Sequence, residues 1–162
     1  MTDTKNQEAA AIARIENCDD PKALRRYLAN ARGKSKSVEM AALRRLAWVS
    51  AKHHAGSVQH ACWVSVHVVE ELRKLSGRKV SRMNRMRPKI EKDGEVAALT
   101  YCILKETDGF PEIMDYGMPE LTAEAIALQY PDSFDVDVLR IAKDRLAQRG
   151  VDVEKLSLPA VS

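Results

Sequence analysis

Apolar residues along the chain recur mostly at helical spacing, and glycine and proline punctuate the pattern. Ala11, Ile12 and Ile15 form the apolar side of a first helix capped by Thr4 and ending near Asn17. Asp20-Pro21 opens a second, because the aspartate accepts orphan amide hydrogens and proline is tolerated in a first turn. It would bury Leu24, Tyr27 and Leu28 and fade by Gly33. After the basic loop GKSKS, Ser37 is expected to cap a helix through about Ala55, with Leu43, Leu46 and Val49 apolar. The segment from Ser57 to Gly77 contains WVSVHVV, whose β-branched residues suit a strand. Its length and its EELRKL ending favour a helix, apolar over so much of its girth that it belongs at the centre of a core.

The pattern continues with a helix from Ser81 to Lys92, kinked or split at Pro88 and stopped by Asp93-Gly94. Another runs from Glu95 to about Leu104, and a single turn from Pro111 to Tyr116 ends at Gly117. Thr122 to Tyr130 is a short helix closed by Pro131, and Asp135 caps a last helix through Arg149. The prediction is an all-α fold of about eight or nine helices with no sheet. Residues 1–19 form an N-terminal helix or arm, 20–150 the helical domain, and 151–162 a tail packing through Leu156 and Leu158 or fraying. At 162 residues the chain is long enough to bury a real core.

Charge changes this picture. From Lys22 to Lys92 eighteen Lys or Arg face four acids, Glu39, Glu70, Glu71 and Glu91, a net of +14. From Asp93 onward six basic residues face fourteen acidic ones, a net of −8, so the overall +3 hides a strong asymmetry. A basic stretch at 22–92 beside an acidic one at 93–150 suggests a face for a polyanion, or an acidic half that docks on the basic half or on a second copy. Between Arg73 and Lys92 nine of twenty residues are Lys or Arg. On the helix expected from Ser81, Arg82, Arg85 and Lys89 share one face, while Met83, Met86 and Ile90 anchor the other. Arg78, Lys79, Arg87 and Lys92 extend the patch. Cations in a row over an apolar underside suit phosphate contacts, whose affinity falls as salt rises. A helix-turn-helix at Asp93-Gly94 is disfavoured, because EVAALTYCIL lacks polar residues for base edges.

Candidate chemistry narrows little further. His53, His54, His60, Cys62 and His67 fall close together, yet His60 and His67 lie two turns apart and no HExxH or cysteine pair occurs. No metal site or cofactor is expected. No GxSxG, P-loop or GxGxxG is present, and Cys62 beside Trp63 reads as a core residue. A carboxylate nuclease would draw on Glu70, Glu71 and Asp93, which have no strand to organise them. Catalytic residues are therefore not assigned, and enzymatic activity is not supported. Three unpaired cysteines and the start MTDTKNQEAA lead us to expect a cytoplasmic protein with reduced thiols. No apolar run is long enough to cross a membrane.

RMRPKIEKDGEVAAL together with DGFPEIMDYGMPELTAEAIALQYPDSF resembles a helical module of uncharacterised proteobacterial proteins. The matching residues are Arg85, Arg87, Lys89, Ile90, Gly109, Phe110, Pro119, Glu120, Leu121, Thr122, Glu124, Ala125, Pro131 and Phe134. The resemblance spans about residues 20–150 and implies a bacterial helical protein, with no activity attached. In the second stretch Phe110, Tyr116 and Phe134 read as packing anchors, and Glu120 and Glu124 as alternative acidic contacts for a partner. The expectation is a non-enzymatic nucleic-acid-binding protein of a bacterium or mobile element, with DNA favoured. The alternatives are a helical protein-interaction module or homo-oligomer and, third, a metal-dependent nuclease or its accessory.

Overall fold

The computed structural model describes residues 2–156, which form nine α-helices and three single 3₁₀ turns, with no strand among the described residues. The chain divides into two compact units, residues 1–52 and 53–162. The charge divides with them. The first unit carries eleven Lys or Arg against six acids, a net of +5, and the second fifteen against seventeen, a net of −2. The cationic run at 73–92 thus lies within a unit whose other parts are acidic.

In the first unit α1 (Thr2–Glu16) and α2 (Pro21–Ala31) both pack on α3 (Lys36–Ser50). Ile15, Leu24, Leu43 and Leu46 make its core. Asp20 caps α2, accepting from the Lys22 amide at 3.0 Å. α3 starts earlier than the sequence suggests, since Ser35 rather than Ser37 accepts the Val38 amide. It also stops at Ser50, so residues 51–57 are an irregular connector in which His53 to Gly56 are exposed.

The second unit is built around α4 (Val58–Leu75), capped by Ser57. Its Cys62, Val66, Val68 and Val69 are fully buried or nearly so, as expected for a helix apolar around most of its girth. α5 (Met86–Asp93) packs chiefly on α6 (Glu95–Lys105), while α6, α7 (Gly109–Tyr116) and α8 (Ala123–Gln129) pack against α4, and α9 (Val136–Gln148) packs on α6 and α8. Ile90, Leu99, Ile103, Ile126, Phe134 and Val138 share one core with α4. α7 is a full two-turn helix rather than the single turn expected from Pro111.

One residue joins α5 to α6. Gly94 takes φ 92° and ψ 169°, donates its amide to the Ile90 carbonyl and accepts from the Ala98 amide. A side chain strongly disfavours that backbone conformation, so glycine makes the corner. Of the two tail residues expected to pack, Leu156 is half-buried at the end of the described chain, and Leu158 lies outside the described residues.

Candidate nucleic-acid interface

The cationic residues do not lie on one helix. The helix expected from Ser81 begins only at Met86, so Arg78, Lys79 and Arg82 belong to an irregular segment, and Arg85 stands at the N-cap of α5. The correction has a local cause. Pro88 is the third residue of α5, in the first turn, where its missing N–H costs nothing. The proline therefore neither kinks nor splits a helix, but lies at the start of one. Arg82 consequently does not share a helical face with Arg85 and Lys89.

The seven candidate cations then separate by their partners. Arg87 is turned inward. Its guanidinium grips Glu70 of α4 with two prongs, Nε at 3.0 Å from Oε2 and Nη2 at 2.5 Å from Oε1. Glu70 Oε2 also accepts the Met83 amide at 3.2 Å, and the Arg87 guanidinium lies 5.2 Å from the centre of the Trp63 ring. Burial works to raise the Glu70 carboxyl, but the Arg87 and Met83 hydrogen bonds outweigh it and hold the group below its ordinary value. Arg87 is the counter-ion of a buried carboxylate, and its charge is already used.

Two further cations are held at the surface. Arg78 reaches Glu112 of α7 at 3.2 Å, sharing that carboxylate with the more buried Arg73 at 2.9 Å. Lys89 bonds Asp93 at 2.7 Å and lies 5.8 Å from the centre of the Tyr101 ring. Lys79, Arg82 and Arg85 are exposed and make no ion pair among the described residues. Lys92 is exposed beside Asp93, whose carboxyl is kept low first by the Lys89 hydrogen bond and then by both lysine charges.

Some acids of the acidic half are paired within it. Arg145 of α9 bonds Glu124 of α8 at 2.5 Å and approaches Glu106 at 3.4 Å, and Arg149 bonds Asp115 at 2.9 Å. Glu124 is almost completely buried, which argues against its expected alternative use as an acidic contact for a partner. Phe134 is a buried anchor as expected, whereas the Phe110 ring is half-buried and lies near the guanidinium groups of Arg145 and Arg149.

The histidines do not converge. His53 stacks on Trp63 with ring centres 6.2 Å apart, and Trp63 donates to Glu95 at 3.2 Å. His67 lies near the same indole, tilted by 39°, and burial pushes its imidazole below the usual value. No group of three or more His, Cys, Asp or Glu among the described residues is placed to hold a metal ion. Cys62 is buried, and desolvation drives its thiol far above the ordinary value, which removes it as a nucleophile.

Sequence reasoning missed the Glu70–Arg87–Trp63 cluster. Its signal was an acid, Glu70, directly following the apolar run VSVHVV. A carboxylate on such a face needs a buried counter-charge, and a nearby arginine is the natural candidate. No protein-family model, curated protein or solved structure matches this chain.

Proposed function

We propose that the second unit binds the phosphate backbone of a nucleic acid through Lys79, Arg82 and Arg85, with Lys92 at the flank. The observation that carries this reading is the exposure of three cations without ion pairs in one seven-residue stretch, ahead of and at the N-cap of α5. Each phosphate they meet releases counter-ions, which makes binding salt-dependent. Their backbone is positioned from beneath by the Met83 amide on Glu70 and by Arg87 on the same carboxylate. Contacts of this kind position a polyanion without reading its sequence.

The test is fluorescence-anisotropy titration with duplex DNA, single-stranded DNA and duplex RNA at two salt concentrations. The triple variant Lys79→Ala, Arg82→Ala, Arg85→Ala should weaken binding of the preferred ligand and lower the salt slope by about 1 for each phosphate no longer neutralised. All three side chains are exposed, so the fold should persist, as checked by circular dichroism. Unchanged affinity in the triple variant would overturn the reading.

A further inference from the structure

The second unit contains a partly open cavity of about 30 Å³ lined by residues of α4, α5, α6, α7 and α8, and by Met83 and Thr107. Most of its wall is apolar, including Val66, Val69, Leu99 and Ile113. The charged group on that wall is Glu124, whose side chain is 1% exposed. One carboxylate oxygen, Oε1, is taken by Arg145 at 2.5 Å. The other, Oε2, is fully buried and accepts no hydrogen bond from any described group. Leaving a buried acceptor unsatisfied costs on the order of 1–3 kcal/mol, more for a charged group, and such groups in folded proteins nearly always have a partner.

Size and charge together select that partner. A cavity known to admit benzene is about 150 Å³, whereas a water needs roughly 10–15 Å³. The space beside Glu124 therefore suits one or two heavy atoms. A second cation is disfavoured because Arg145 already neutralises the carboxylate, and the remaining walls would not solvate further charge. A neutral donor of water size remains. Ser65 and Thr107, which also line the cavity, provide the additional polar groups that an internal water requires.

We propose that this cavity is an internal hydration site, in which a bound water donates to Glu124 Oε2 and is further held by the Ser65 or Thr107 hydroxyl. The water would join α4, the α6–α7 connection and α8 at one point. Met83 gives the site a link to the surface, since it lines the cavity while its amide is fixed by Glu70 just inside Arg82 and Arg85. The inference does not rest on nucleic-acid binding and stands or falls separately from it.

The unmodified protein tests it in two ways. A crystal structure at about 1.5 Å should show a water peak at roughly 2.7–3.2 Å from Glu124 Oε2. In solution, a long-lived water should give nuclear Overhauser cross-peaks to the methyls of Val69 and Ile113. Xenon-pressurised crystals should show no xenon there, because a water hydrogen-bonded to a carboxylate oxygen is not displaced by an apolar gas. Xenon density, a protein donor rotated onto Oε2, a larger organic molecule in the density, or absence of both water signals would each overturn the proposal.

Discussion

Arg87 shows how a single residue can be miscounted by charge alone. It sits in the most basic stretch of the chain, yet it neutralises Glu70, whose side chain is only 9% exposed. Replacing it by methionine would leave that carboxylate buried without a counter-charge, at a cost of about 3 kcal/mol by urea denaturation. The pH dependence follows from the same pair. Because the folded state holds Glu70 below its ordinary value of 4.5, this stabilisation is complete above that value and is lost as pH falls through the lowered one. His67, held below 6.5, acts in the same direction at higher pH, losing stability as pH falls from 6.5. Glu124 opposes it: burial raises its carboxyl, so its contribution is fullest below 4.5 and lost as pH rises. Below pH 4.5 the falling limb is shared by Glu70 and by Asp93, whose carboxyl is held below its ordinary 3.8 by Lys89. Arg87→Met should flatten the Glu70 share of it in denaturation curves taken across that range. An unchanged acid limb would remove the pair from the account.

Among the elements, the shortest connection carries the sharpest prediction. At Gly94 a Cβ would meet nothing within 4 Å, so substitution there tests backbone conformation alone. Gly94→Ala should cost on the order of 1–3 kcal/mol, read as a lowered urea midpoint with an unchanged slope. A cost near zero would mean that the corner relaxes freely. Helix identity was readable from periodicity and punctuation throughout, because proline, glycine and capping residues act locally. The start of α5 was not. Ser81 has the chemistry of a cap, but a helix from there would have buried Pro88 in its interior, and the Met83 amide bonds Glu70 instead. That bond joins residues thirteen apart, and spacing within one element does not reveal it.

At the scale of the whole molecule, the division between units falls at Lys52, next to the exposed stretch His53–Gly56. Brief trypsin treatment of the native protein should cut after Lys52, besides cutting in the exposed irregular segment 78–85, and leave a protected fragment that ends at Lys52, identified by mass spectrometry. Earlier cutting inside α3 or α4 would contradict the division. The sequence suggested one helical domain over 20–150, since nothing in the composition marks 51–57 as a boundary. The polar connector is short, and helices with apolar faces flank it on both sides. The candidate interface was legible as a count of cations but not as a set of free ones, because the carboxylates that occupy Arg78 and Arg87 come from α7 and α4.

Glu112 has one more consequence. It is bound at once by Arg73, whose side chain is 14% exposed, and by Arg78, which is 51% exposed. An incoming polyanion can reach only the outer of these two guanidinium groups. For Arg78 such an encounter is a substitution, one oxyanion replacing another, with Arg73 keeping the displaced carboxylate in place. Arg78 would then reorient on complex formation while adding little to the number of ions set free. The protein would carry an internal competitor that weakens loose encounters and yields only to a ligand able to occupy its neighbouring cations at the same time.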